Sequence, residues 1–399
     1  MTVPRLLRRG GPLDRTSVAA LVSVLAISTF LVVHLAWHHW DPSANVVAGD
    51  QWVDATQTPS DLTVRSSASG YDGQFIYGLA LHPFTRSDTV HGIHIDLPAY
   101  RQQRIGLPVA AHVVHVATTL RLSVALIVIE ALSVVVVGAA GAALFRRYRR
   151  HALWGVLLAI EPALSIAVAR DLTEPLAWAA LLTGLVWWLD ERWVLAGLAF
   201  TVACLTRETS VTMLVGLGIG QLVWGARTRW RGAAPILAAG VLTGAWELWL
   251  EHVWGVLPLK SGQDNVGTPA FGVLRDIVRG FTNPTRDHLH PLGFGVTWQC
   301  ERLLLIGLLV AALLVLRRSP VDAPIKAGWA VTALLAVTLK GWNYDVQFLR
   351  ATHEAFGLSV LLLATTTPSS SFARRARQVL LLLTGALSLY VGGFYALGT

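Results

Sequence analysis

Between the first two apolar runs of this chain lies a polar interval with most of its chemistry-bearing residues. It contains Gly70-Tyr71-Asp72-Gly73-Gln74-Phe75 and then Asp96-Leu97-Pro98-Ala99-Tyr100-Arg101-Gln102-Gln103-Arg104. A carboxylate beside glycine can meet a substrate at close range, because glycine lets the backbone turn and puts no side chain in the way. Asp72 is therefore a candidate proton acceptor for a hydroxyl group, with an Asx-turn as the plainer alternative. Tyr71 and Gln74 stand beside it as candidate substrate contacts. Arg101 and Arg104, three apart, share a face if the segment is helical, and two guanidinium groups there suit a phosphate at headgroup depth.

Three further sites place charge at the ends of apolar runs. Arg170-Asp171-Leu172-Thr173-Glu174-Pro175 reads as a hairpin tip, with Thr173 as N-cap and Pro175 in the first turn of the next helix. Asp171 and Glu174 are either solvated there or orient an acceptor or a metal. Leu205-Thr206-Arg207-Glu208-Thr209 interrupts an apolar stretch with two charges; either they pair locally or Arg207 reaches a lipid phosphate. Arg350, just before a late apolar run, invites the same two readings.

The elements that must hold these residues are membrane helices. The chain is 54% hydrophobic and only 14% charged, against about 25% charged in an ordinary soluble domain. Apolar runs at roughly 18–37, 121–144, 152–169, 174–189, 193–206, 209–225, 233–253, 299–316, 325–341, 353–367 and 379–396 predict an all-α, polytopic transmembrane bundle of about 11 spans. It is read as one integral membrane domain, residues 1–399, with outer loops at 38–120 and 254–298. The segment 105–120, with His112 and His115, is too polar to span and fits an amphipathic helix at the interface.

Charge sets the orientation. The predicted cytoplasmic segments hold 18 of the 32 Lys and Arg residues but only four of the 24 acids, as the positive-inside rule demands with the N-terminus inside. The basic clusters between spans also account for the net charge of +8 without nucleic acid as a partner. The cytoplasmic connections are short, and no Walker or dinucleotide-binding glycine pattern occurs. The active face is expected outside. Cys204 and Cys300 form no disulfide framework or zinc spacing, and the outer histidines match no zinc motif.

With these four motifs in place, the chain resembles the GT-C superfamily of integral membrane glycosyltransferases, especially its actinobacterial and proteobacterial branches. The likeness rests on residues 70–75, 98–104, 171–175 and 205–209; beyond about residue 225 it is one of topology alone. It implies a bacterial cytoplasmic-membrane enzyme of the cell envelope whose first outer loop, flanked by interfacial helices, carries the catalytic aspartate, here Asp72. It further implies a sugar donor on polyprenyl phosphate and a glycan, lipid or protein acceptor, within surrounding membrane lipids. The first loop has no Asp-x-Asp or Glu-x-Asp pair, so a divalent cation is not the favoured cofactor.

The expected reaction is direct, inverting displacement at the anomeric carbon. Asp72 acts as base, and Arg101, Arg104, Arg207 and Arg350 face the leaving phosphate. A polytopic transporter or lipid flippase is the alternative. Glu130, Glu161 and Glu247, within or near spans, are the residues that reading would use.

Overall fold

The computed structural model describes residues 11, 14–225, 229–261, 265–282, 292–342 and 345–397. The described chain is all-helical apart from two minimal two-stranded ribbons. The remainder of the 254–298 loop, residues 262–264 and 283–291, lies outside the described residues.

Among the described residues, five helices are long and apolar enough to cross a membrane. They are α1 (Thr16–Trp37), α5 (Leu122–Arg147), α11 (Arg229–Trp254), α14 (Leu292–Val315) and α17 (Ser371–Ala396). Shorter apolar helices lie between them: α8 (Glu174–Leu189), α9 (Trp193–Thr206), α10 (Ser210–Trp224) and α15 (Ala323–Thr338). The late run expected at 353–367 belongs to the longer α16 (Asp345–Thr365). The run expected at 379–396 likewise starts earlier, because the Ser370 hydroxyl accepts from Ala373 N and caps a polar first turn.

Every run read as a span is helical, but 152–169 is not one helix. It divides into α6 (Trp154–Ala159) and α7 (Pro162–Val168). Proline has no N–H for the helical ladder and forces the preceding residue out of the α region. Glu161 accordingly adopts φ −58°, ψ 149° as the N-cap of α7.

The first loop folds into a cap rather than trailing as a connection. Within it lie α2 (Gly73–Leu81), α3 (Pro98–Gln102) and α4 (Gly106–Thr118), with β1 (Ala48–Gly49) parallel to β2 (Val64–Arg65) and β3 (Thr89–Val90) antiparallel to β4 (Ile93–His94). The expected interfacial helix is α4, which packs on α2, α5 and α9. Val46, Ile76, Tyr77, Ile93, Leu107, Leu122 and Leu126 form one buried cluster, so the cap is seated on the start of α5. Full burial of each such large side chain contributes about 1.5–3 kcal/mol. A larger core built around Trp178, Phe145, Phe200 and Phe356 holds α5, α8, α9 and α16 together.

Gly73 brings the cap against the α7–α8 hairpin. A Cβ at that position would stand 2.3 Å from the Arg170 carbonyl oxygen, so only glycine permits this approach. Asp72 is thereby set beside the hairpin that carries Glu174.

Candidate active site

Asp72 is the N-cap residue of α2, yet its backbone is in the αR region and its side chain makes no cap hydrogen bond. The Asx-turn alternative is not adopted. One oxygen lies 2.9 Å from Arg101 Nη1 and the other 3.7 Å from Arg350 Nη1. Burial alone works against the charged carboxylate, but Arg101, Arg350 and Arg104 outweigh it and hold its pKa below the ordinary value.

Arg101 lies in the last turn of α3, while Arg104 lies beyond the helix, so they do not share a helical face. They nevertheless converge. Arg101 is held on its other side by a bidentate pair with Asp96, at 2.7 and 2.8 Å, and its guanidinium stacks 4.5 Å above the Phe75 ring. Arg104 forms a fork with Glu208 at 2.8 and 2.5 Å and bonds the Tyr100 hydroxyl at 2.7 Å. Glu208 lies in the turn between α9 and α10. Burial would raise its pKa, but Arg104 draws it down to about 2. The fork therefore clamps the cap to that turn.

Below this layer, Arg207 and Arg350 share one oxygen of Glu174, at 2.7 and 2.5 Å. Arg350 also donates to the Tyr71 hydroxyl at 2.8 Å, and Arg207 donates to the Arg350 carbonyl at 3.3 Å. A buried charge requires pairing, and here one carboxylate at the start of α8 orients two guanidinium groups, one from the C-cap of α9 and one from α16.

These residues open onto a cavity of about 1080 Å³ whose wall includes Tyr71, Asp72, Arg101, Arg104, Arg207, Glu208 and Arg350. The cavity continues as an apolar groove between α10 and α11. On α10 its lining recurs at Val211, Leu214, Val215, Gly218, Ile219 and Leu222, one face of the helix. Eleven residues of rise carry that face about 17 Å, roughly half of a ~30 Å hydrocarbon core. Val215, Ile219, Leu237 and Val241 remain exposed, so the groove is open along its side.

Three expected contacts are not in the wall. Gln74 works inside the cap, accepting from Gly49 N at 3.1 Å and donating to the Ser69 carbonyl at 3.0 Å. Glu174 stands behind the arginines and not at the cavity surface. Asp171 is not a solvated hairpin tip: it is fully buried, at φ +47°, beside Glu130, and burial pushes its pKa up from the ordinary value. Thr173 occupies the N-cap position of α8 but its side chain makes no cap bond.

Other site residues escaped the sequence reading. Tyr100, Gln103, Thr209 and Gln347 line the cavity, and so does Glu247 on α11. Glu247 carried a signal, an isolated acid in an apolar helix; Gln103 and Gln347 carried none. Ser210 donates to Glu354 at 2.6 Å, and His353 faces Glu161 at 3.4 Å. Among the described residues, no group of three His, Cys, Asp or Glu side chains is placed to hold a metal ion.

No family model matches this chain, and no curated protein matches it.

Proposed function

We propose that this chain is a membrane glycosyltransferase that moves a sugar from a polyprenyl-phosphate carrier to an acceptor hydroxyl on the extracytoplasmic side. The observation that carries the reading is the junction of two surfaces in one cavity. Four arginines, Asp72 and Glu208 meet at its polar end, and an apolar, side-open groove leads away along α10 and α11. A ligand that is anionic at one end and a long hydrocarbon at the other fits both surfaces at once. The likeness of residues 70–75, 98–104, 171–175 and 205–209 to the GT-C superfamily points the same way, as does the expected arrangement of about 11 crossings with the N-terminus inside.

The reaction follows from the pairing of Asp72. Donor phosphate competes for the Arg101 and Arg350 guanidinium groups that hold the carboxylate, and phosphate takes such forks in bidentate fashion. Asp72, relieved of those cations, regains basicity next to the reacting centre. It accepts the proton of the acceptor hydroxyl as the new oxygen–carbon bond forms at the anomeric carbon. The bond from that carbon to the phosphate oxygen breaks, and the phosphate leaves with the electron pair. Arg104, Arg207 and Arg350 stabilise the developing charge, and direct displacement inverts the anomeric configuration.

The test is sugar transfer from a radiolabelled polyprenyl-phosphate sugar by the purified protein, together with mass spectrometry of its co-purified lipids. Transfer abolished by Asp72→Asn supports the reading. Wild-type-like transfer by that variant removes Asp72 from the chemistry. The transport alternative draws on Glu130, Glu161 and Glu247, of which the first two are fully buried within the bundle. Lipid translocation across proteoliposomes without any glycosyl transfer favours it.

A further inference from the structure

Among the described residues, each carboxylate around the polar end of the cavity has a guanidinium partner except one. Asp72 has Arg101 and Arg350, Glu208 has Arg104, and Glu174 behind them has Arg207 and Arg350. Glu247 lines the same cavity, and no cation among the described residues pairs with it. Its Oε2 is buried and meets no hydrogen-bond donor there. A carboxylate so placed costs stability unless some group fills its acceptor sites.

Its surroundings leave room for such a group. Gly240, Thr243, Gly244 and Glu247 lie at i, i+3, i+4 and i+7, all on the face of α11 that lines the cavity. No atom stands within 4 Å of where a Cβ on Gly240 or Gly244 would point. The backbone of α11 is thus bare for a turn and a half beneath Glu247. The helix is also held in register with the cap: Trp254 donates to Gln102 Oε1 at 2.8 Å and Trp246 donates to the Gln102 carbonyl at 3.3 Å. Glu247 and Glu208 both line the cavity wall.

We propose that Glu247 and the adjoining face of α11 form the wall that receives a sugar ring, with the carboxylate accepting hydrogen bonds from ring hydroxyls. This rests on the reading of the cavity as the site of a lipid-phosphate sugar. A polyhydroxylated ring is the chemistry that fits: it offers neighbouring O–H donors to a carboxylate that lacks them, and a flat apolar side to bare helix. Four arginines are already aimed at the anionic group, so Glu247 distinguishes the glycosylated carrier from the bare one. A site whose polar group is left unpaired by an incomplete ligand discriminates strongly against that ligand.

The experiment compares binding of farnesyl phosphate with binding of its glucosyl, mannosyl, galactosyl and arabinosyl esters by the detergent-purified full chain. The expected result is that at least one ester binds the parent protein more tightly than farnesyl phosphate does. Glu247→Ala then loses about 10- to 100-fold of that preference and keeps its affinity for farnesyl phosphate, which also reports an intact fold. Glu247→Gln, which retains an acceptor oxygen, keeps part of the preference and melts no lower than the parent, since an unpaired carboxylate has been removed. Sugar preference unchanged in Glu247→Ala overturns the proposal, as does a Glu247→Gln protein that melts lower and still discriminates. A parent protein that binds farnesyl phosphate without preferring any ester overturns the wall but leaves the phosphate reading standing. Binding of none of the probes removes both.

Discussion

Asp72 draws its chemistry from the cations around it. With Arg101 at 2.9 Å and Arg350 at 3.7 Å, it is a firmly ionised, weakly basic carboxylate until something takes those guanidinium groups. Asp72→Asn is expected to lower transfer by about 10²- to 10⁴-fold, the usual contribution of a positioned base. Donor affinity in that variant should hold within a few-fold, because the arginines remain. A comparable loss of donor affinity would make Asp72 a binding residue. Arg207 and Arg350 are not equivalent although both reach Glu174: Arg350 also contacts Tyr71 and Asp72, while Arg207 bonds Thr209 and the Arg350 carbonyl. Both face the leaving phosphate, so Arg207→Lys and Arg350→Lys should each raise the donor KM and lower kcat, with the larger loss of kcat in Arg350→Lys. Steady-state kinetics with a defined donor separates the two, and equal effects on both parameters from both variants contradict this division.

At the scale of elements, two of the contacts that fasten the cap to the bundle lend themselves to substitution. The first is the close approach of Gly73 to the α7–α8 hairpin. Gly73→Ala puts a methyl group 2.3 Å from a carbonyl oxygen, and overpacking of this kind costs about 1–3 kcal/mol. The variant should melt lower than the parent, and an unchanged melting temperature shows that the hairpin yields. The second is the Arg104–Glu208 fork. Glu208 has a pKa near 2 in the folded chain against an ordinary 4.5, so its contribution is fully present above about pH 4.5. It is lost as pH falls toward 2, and the shift corresponds to about 3 kcal/mol at most. Glu208→Gln should flatten that part of the stability profile, read as melting temperature against pH. Parallel profiles for parent and variant would show that the fork contributes nothing.

For the molecule as a whole, the arrangement of charge predicts a cap on the outside. Ser87 in the cap and Ser369 between α16 and α17 are both exposed, and each accepts a cysteine in a Cys300→Ser background. A membrane-impermeant maleimide should label position 87 in intact cells and position 369 only after permeabilisation. The reverse pattern inverts the orientation and moves the site to the cytoplasm. The side-open groove belongs to the same scale, because only the bundle brings α10 and α11 together with their apolar faces apart. Val215→Trp, at the exposed edge of the groove, should raise the KM for a long-chain donor more than for a farnesyl donor.

Sequence alone determined the helical class, because sustained apolar runs have few other uses and the basic clusters between them follow membrane orientation. It also marked Arg207, Glu208 and Arg350 as charges where charge is expensive to keep, and Asp72, Arg101 and Arg104 as a carboxylate beside glycine and a close guanidinium pair in a long polar loop. Their pairing was not legible. Arg104 and Glu208 lie 104 residues apart, and Glu174 and Arg350 lie 176 apart; no local pattern specifies contacts across such separations. The break at Glu161–Pro162 was readable from the proline, whereas the burial of Asp171 contradicted a hairpin that looked solvated. Gln74 turned inward for the same reason that Glu247 turned toward the cavity: which face of an element meets solvent, lipid or a neighbour depends on what packs against it. Residue types and periods set what each segment forms, and the packing of the cap on the bundle decided which charges face one another.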